Sequence, residues 1–264
     1  FVIPNPWDVG SARILEQLKF KALATSSSGF AFTEGLPDPV LGPGDEWVGR
    51  RDRTLAHLRA IVDGTELPVN ADFQSGFARD LEGLSDSVRR CVETGVAGLS
   101  IEDASGVPGQ PLFSLEESVE RIKVARAAID KTKSDVLLTA RAECFLVDHP
   151  EPLRESILRL EAYAEAGADV LFAPGARTRE EITAIVRAVA PRPVNLLVST
   201  NTGLTVADVA ALGVRRISVG SALARVAWGA FVKAARELAG QGSFNGLTGG
   251  IPFTEINGLF AKDR

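Results

Sequence analysis

Short apolar runs recur along this chain, and each is followed by a stretch with the periodicity of an amphipathic helix. Runs at residues 1–4, 21–25, 67–71, 96–101, 136–140, 169–173, 194–198 and 216–219 each fit one buried strand. Helical patterns separate them. Asp8 is placed to cap a helix reaching Phe20, and further helices are expected over 45–63, 85–94, 114–133, 152–166, 179–189, 206–212 and 221–239. Ser85 is read as the cap of the 85–94 helix, and Ser114 with Glu117 as a capping box. The count is about eight β-then-α units, the number that closes a (β/α)8 TIM barrel of the α/β class. An open doubly wound sheet would carry a Gly-rich phosphate turn after its first strand, and no GxGxxG is present. A length of 264 residues with 45% hydrophobic content suits a single such domain. Its expected extent is residues 1–240, followed by a Gly-rich extension, 241–264, whose Phe and Ile residues need a surface to pack on.

Residues 35–44, GLPDPVLGPG, hold too much Gly and Pro for a regular element, and a loop of this length in a compact domain is expected to act as a lid. Residues 104–111, ASGVPGQP, read as a second, shorter loop. A net charge of −5 and dispersed Arg and Lys give no electrostatic reason to expect nucleic acid or an anionic membrane as partner. No apolar run approaches a membrane span. The chain opens at Phe1, without a Met or a signal-peptide pattern, so the natural first residues are expected to precede it. Cys91 and Cys144 lie in no CxxC and have no His at ligand spacing. They read as buried structural thiols, with a reducing cytoplasm as the expected location.

The runs at 67–71 and 96–101 both end in acids: Asp72 in the first, Glu102 and Asp103 in the second. One strand-end Asp equally suits a helix cap or a salt bridge. Two in consecutive units favour a site for a hard divalent cation, which takes oxygen ligands and keeps several waters. Other expected strand-end groups are Asn5, Asp8, Thr25, Ser26, Ser27, Ser28, Gln74, Arg141, Glu143, Asn195 and Ser218. Arg141 is read as the only strand-end cation, suited to bidentate binding of a carboxylate. His57 falls in a helix and His149 in a Pro-flanked turn, so both read as structural or surface residues. The set therefore points to metal-stabilised enolate chemistry rather than to His-based acid–base work.

At these residues the chain resembles the isocitrate lyase/phosphoenolpyruvate mutase superfamily, including its phosphonomutase-like members. The resemblance runs from NPWDVGSARILE to VRRISVGSALAR, and GLPD, ADFQSGFA, SIED and TARAE carry it most specifically. It implies a Mg²⁺ enzyme, with Mn²⁺ as a possible substitute, acting on small 2-oxo or 2-hydroxy acids. It also implies a homotetramer in which the last barrel helix is exchanged between paired subunits. Carried over residue by residue, Asp72 matches the direct metal ligand, while Glu102 and Gln74 match groups reaching the metal through water. Asp38 matches an acid holding metal-bound water and also the lid acid that moves a proton. Arg141 matches the substrate-carboxylate clamp, and Thr25, Ser26 and Ser27 match donors to substrate oxygens, with Glu143 and Asn195 beside them. Two departures stand out: Gln74 replaces an Asp, and residues 104–111 hold no Cys, Lys or His where isocitrate and methylisocitrate lyases carry a KKCGH-type loop. The expected reaction is C–C cleavage of an oxaloacetate-like or alkylmalate-like acid by a lyase or hydrolase. The alternatives are a C–P bond enzyme, phosphoenolpyruvate mutase or phosphonopyruvate hydrolase, and a barrel that binds an oxo acid without turning it over.

Overall fold

The computed structural model describes residues 1–38 and 46–261. Its first strands are β1 (Val2–Ile3), β2 (Leu23–Ala24), β3 (Val69–Asp72) and β4 (Gly98–Glu102). Next come β5 (Ala104–Val107) and β6 (Gln110–Leu112), an antiparallel hairpin apart from the main sheet. β7 (Leu137–Arg141), β8 (Val170–Phe172), β9 (Val194–Leu197) and β10 (Arg216–Ser218) complete the set. Without the hairpin, eight parallel strands remain in the order β1-β10-β9-β8-β7-β4-β3-β2. Ala24 N–H donates to Pro4 O at 3.1 Å and Asn5 Nδ2 to Thr25 O at 2.9 Å, which joins the two end strands into a ring. Asn5 Oδ1 also accepts the N–H groups of Val219 and Gly220 at 2.8 and 2.9 Å, so one side chain ties three strand ends together. This is the expected (β/α)8 barrel.

The helices lie outside it: α1 (Val9–Gln17), α2 (Ser27–Thr33), α3 (Glu46–Gly64), α4 (Leu81–Val92), α5 (Leu115–Lys131), α6 (Pro152–Glu165), α7 (Arg179–Ala188), α8 (Val206–Ala211), α9 (Ala222–Gln241) and α10 (Phe253–Phe260). Leu58, Leu84, Val88, Leu99, Leu138 and Leu160 are fully buried between the helices and the sheet. Polar caps fix the helix starts. Asp8 and Ser11 form a reciprocal capping box on α1, and Thr178 with Glu181 does the same on α7.

Two expectations need correction. α4 starts at Leu81 under an Asp80 cap, whose Oδ1 accepts Gly83 N–H at 2.7 Å, so Ser85 lies inside the helix. Residues 104–111 are not a plain loop but most of the β5–β6 hairpin, with Ser105 Oγ bonded across it to Gln110 O and accepting Val107 N–H. The 241–264 extension contains a helix, α10, which packs on α1, where the Phe260 ring comes within 3.7 Å of the space beside Gly10. Of the expected lid, residues 39–44 lie outside the described residues.

Both cysteines are free and buried. His57 stacks on Phe30 with ring centroids 3.9 Å apart, and burial pushes its imidazole down to about 4 against a weaker pull from Asp8. It is therefore neutral at physiological pH, as a structural histidine should be. Arg121 on α5 holds the segment after β3: its guanidinium donates to the carbonyls of Ser75, Ala78 and Arg79 at 2.6, 2.9 and 3.3 Å. It also lies over the Phe113 ring, 4.5 Å away.

Candidate active site

Strand register brings the acids together. Asp72 pairs with Ser100 across β3–β4, and Glu102 pairs with Arg141 across β4–β7, all at the C-terminal end of the barrel. Arg141 is the hub. Its Nη1 donates to Asp72 Oδ1 at 2.8 Å, its Nη2 faces Glu102 Oε2 at 3.1 Å, and its Nε donates to Glu143 Oε1 at 2.9 Å. The guanidinium also lies over the Phe172 ring at 5.3 Å. Asp72 is held from the other side as well: Oδ2 accepts Ser27 N–H at 3.0 Å, and its own N–H donates to Thr25 Oγ1 at 2.9 Å.

Two chambers open from this hub. An inner one of about 230 Å³ sinks into the barrel, past Thr25, Ser26, Asp72, Asn195 and Ser218. An outer one of about 430 Å³ lies under the hairpin, bordered by Gln74, Glu102, Glu143 and the turn around Pro108 and Gly109. Ser27, Asp38, Arg141 and Leu146 border both. Asp38 thus stands where a ligand passing between the chambers would meet it.

Asp72, Glu102 and Glu143 share the single guanidinium of Arg141, so the cluster around it holds more negative charge than it balances. Burial pushes the Glu102 carboxyl well above its ordinary range; Glu143, Asp72 and Asp103 add to this against Arg141. Burial likewise raises Glu143, opposed by Arg141. Asp38 is raised by its loss of water contact and by Asp72. Burial alone would pull the Arg141 guanidinium down, but Glu143, Glu102 and Asp72 together outweigh it and leave the group above its ordinary value. The surplus must be met by protons or by a cation.

An oxygen-only donor set with surplus carboxylate fits Mg²⁺ or Mn²⁺. Among the described residues no three acids, His or Cys are grouped as ligands to one ion. That agrees with a cation held by one direct carboxylate and by waters, because Mg²⁺ dehydrates reluctantly. Asp72, Glu102 and Gln74 are the groups that would hold such an ion, directly or through its waters.

The remaining expected site residues divide. Gln74 is buried with a left-handed backbone (φ 48°), and its carbonyl accepts Glu102 N–H at 3.0 Å. Ser26 is spent as the cap of α2, its Oγ accepting Gly29 N–H at 3.1 Å, while Ser27 gives its N–H to Asp72. The serine run therefore begins a helix, and its free donors are fewer than the sequence suggests. Asn195 faces into the barrel, donating to Ser218 Oγ at 2.9 Å. Asp103 turns away from the chambers: it accepts from Arg159 at 3.0 Å and Tyr163 at 2.7 Å, and it holds Glu143 N–H at 2.8 Å. Arg216 was missed. It lies at the start of β10, away from the C-terminal strand ends where Arg141 is the only expected cation, and it lines the inner chamber, as does Arg225 from α9. The signal available was the alternation on β10, which puts Arg216 and Ser218 on one face and Ile217 on the other.

A family model described as phosphoenolpyruvate phosphomutase matches residues 1–239. The chain belongs to that family. Proteins similar to this phosphoenolpyruvate phosphomutase family member are named for action on 2-methylisocitrate, 2,3-dimethylmalate, oxaloacetate and phosphonopyruvate. A 2-methylisocitrate lyase from Escherichia coli (strain K12) is 35% identical over 169 residues, 61% of this chain and 53% of that one, so the match spans about half of the curated lyase. A candidate lyase/mutase from Burkholderia cenocepacia J2315 superposes with a TM-score of 0.91 and 43% identity, over 100% of this chain and 92% of that one. A phosphonopyruvate hydrolase in complex with oxalate and Mg²⁺ has a TM-score of 0.81 at 25% identity, covering 98% of this chain and 89% of that one. The resemblance of the sequence to the superfamily is thereby borne out, as is the barrel. No helix among the described residues is long and apolar enough to cross a membrane.

Proposed function

We propose that this protein is a divalent-metal-dependent lyase or hydrolase that cleaves a C–C bond in a small 2-oxo or 2-hydroxy dicarboxylic acid, oxaloacetate-like or alkylmalate-like. The observation that carries the reading is the surplus of carboxylates around one clamped guanidinium at the mouth of a barrel chamber. Arg141 and the hydroxyls of Thr25 and Ser27 orient the substrate's oxygens. When an oxaloacetate-like acid loses CO2, the electron pair of the broken bond passes to the 2-oxo group as an enolate; a bound Mg²⁺ or Mn²⁺ would supply the Lewis acid for that oxygen. In the alkylmalate or hydrolytic variant Asp38 takes the proton of the substrate hydroxyl or of the attacking water, that oxygen becomes the new carbonyl or carboxyl oxygen, and the pair of the broken bond leaves with the carboxylate-stabilised fragment, which receives the proton back. The raised affinity of Asp38 for a proton suits that exchange.

The hairpin roof argues on the choice of substrate. Gly106, Val107, Pro108, Gly109 and Pro111 line the outer chamber and offer no acid to protonate a departing dicarboxylate carbanion. Positioned proton transfer is worth about a hundredfold or more in rate. Turnover of oxaloacetate and alkylmalates is therefore expected to exceed that of isocitrate and 2-methylisocitrate by at least about a hundredfold in kcat/KM. A panel of these acids with phosphonopyruvate, run with Mg²⁺ and again with EDTA, tests this. Isocitrate or phosphonopyruvate as best substrate, or turnover that EDTA leaves intact, would overturn the assignment.

The homotetramer with an exchanged last helix also belongs to this proposal. Along α9 only Ala224 is buried, while Val226 (71% exposed) and Phe231 (60% exposed) stand outward. With Leu223, Trp228 and Val232 also exposed, so much uncovered apolar surface on one helix suits a permanent protein interface. Light scattering at micromolar concentration should show an oligomer that Val226→Asp combined with Phe231→Asp dissociates; a monomeric parent protein would contradict it.

A further inference from the structure

We infer that Arg216 anchors the second carboxylate of a dicarboxylic substrate from the floor of the inner chamber, a deepening that rests on the oxo-acid reading above. The side chain leaves β10 and crosses the barrel interior. Its Nε donates to Asn195 Oδ1 at 2.9 Å, its Nη2 to Thr139 Oγ1 at 2.8 Å, and its Nη1 reaches Asn70 Oδ1 at 3.4 Å. All three acceptors are neutral, and no carboxylate among the described residues pairs with the guanidinium. Of the other arginines near the barrel mouth, Arg141 meets three acids and Arg159 meets Asp103 and Glu155, while the exposed Arg225, which also lines the chamber, donates to Ser199 O at 2.8 Å.

A guanidinium offers five N–H donors. Three are in use, which leaves two for a ligand in the chamber that Arg216 lines. Burial without a counter-charge also pulls the group down to about 10, a cost that an anion in the chamber would relieve.

The layering gives the spacing. Thr139 and Arg141 stand on the same face of β7, two residues and so about 7 Å apart along the strand. Arg216 is bonded to Thr139, one layer beneath Arg141. A four-carbon diacid laid along the barrel axis presents one carboxylate to each layer. A monoacid fills the upper layer alone and leaves the lower cation unmatched. Two planar forks at two depths select for chain length as well as charge, because a bidentate carboxylate must meet both.

Calorimetry with Mg²⁺ present, using pyruvate as the monoacid probe and 3,3-difluorooxaloacetate as the diacid, tests the inference. The parent protein should prefer the diacid by about thirtyfold or more. In Arg216→Gln that ratio should collapse toward one, and in Arg216→Lys, which keeps the charge but not the fork, part of it should return. Equal binding of both probes by the parent protein overturns the inference while leaving the oxo-acid reading in place. So does a full diacid preference in Arg216→Gln. Failure of the parent protein to bind either probe overturns the oxo-acid reading and this inference with it. If Arg216→Gln does not fold, the parent ratio and the Arg216→Lys ratio decide the matter.

Discussion

Replacing Arg141 with alanine is expected to lower kcat/KM on the best oxo acid about a thousandfold. It should also remove about 3–5 kcal/mol of stability, because breaking a buried ionic cluster on one side leaves the other side uncompensated. The geometry explains the size of both effects. The side chain is 14% exposed, and it is the shared partner of Asp72, Glu102 and Glu143. Without it, three carboxylates face one another around a void. Arg141→Lys should recover only a fraction, since a single ammonium cannot reproduce three bonds in fixed directions. Steady-state kinetics and thermal unfolding measure the two losses separately. An alanine variant with more than a tenth of parental kcat/KM would remove Arg141 from the substrate clamp.

Asp72→Asn should be nearly as damaging to turnover and milder to the fold. The amide keeps the shape of the carboxylate. However, both Asp72 oxygens accept N–H groups, from Arg141 and from Ser27, and one of these would then face another donor. The lost charge also removes the carboxylate proposed for direct contact with a metal ion. The expected fall in kcat/KM is about a thousandfold, several kcal/mol of transition-state stabilisation. Mn²⁺ titration followed by electron paramagnetic resonance gives the independent reading. Parental Mn²⁺ affinity in Asp72→Asn would show that the ion sits elsewhere.

The barrel and its acidic mouth were legible in the sequence because they rest on local rules. Each strand is a short apolar run, and a strand-end acid is visible as the residue that closes it. Asp72, Glu102 and Arg141 came together because register follows from strand order. What was hidden depends on reach or on competition between signals. Arg216 looked like an ordinary first strand residue; only the length of its side chain across the barrel makes it part of the chamber. The start of α4 was displaced because Asp80 and Ser85 are both plausible caps, and Gly83 weakens the pattern between them. Residues 104–111 looked like loop on composition, whereas main-chain pairing and the Ser105 hydroxyl make a hairpin of them. The serine run read as donors to a ligand because a cap and an oxyanion donor use the same residue type.

Arg121 carries a different lesson. Three residues of the segment after β3, Gln74, Gly76 and Phe77, adopt left-handed backbone, with φ of 48°, 84° and 53°. For Gln74 and Phe77 that geometry is strained, and it persists only while something outside insists on it. The insistence comes from the three carbonyls gripped by a guanidinium on an outer helix, on the far side of the wall from any ligand. A map of mutational sensitivity over this protein would therefore show a hot position that touches neither chamber. Read without the structure, it would be mistaken for part of the chemistry; it is the bracket on which one wall of the chemistry hangs.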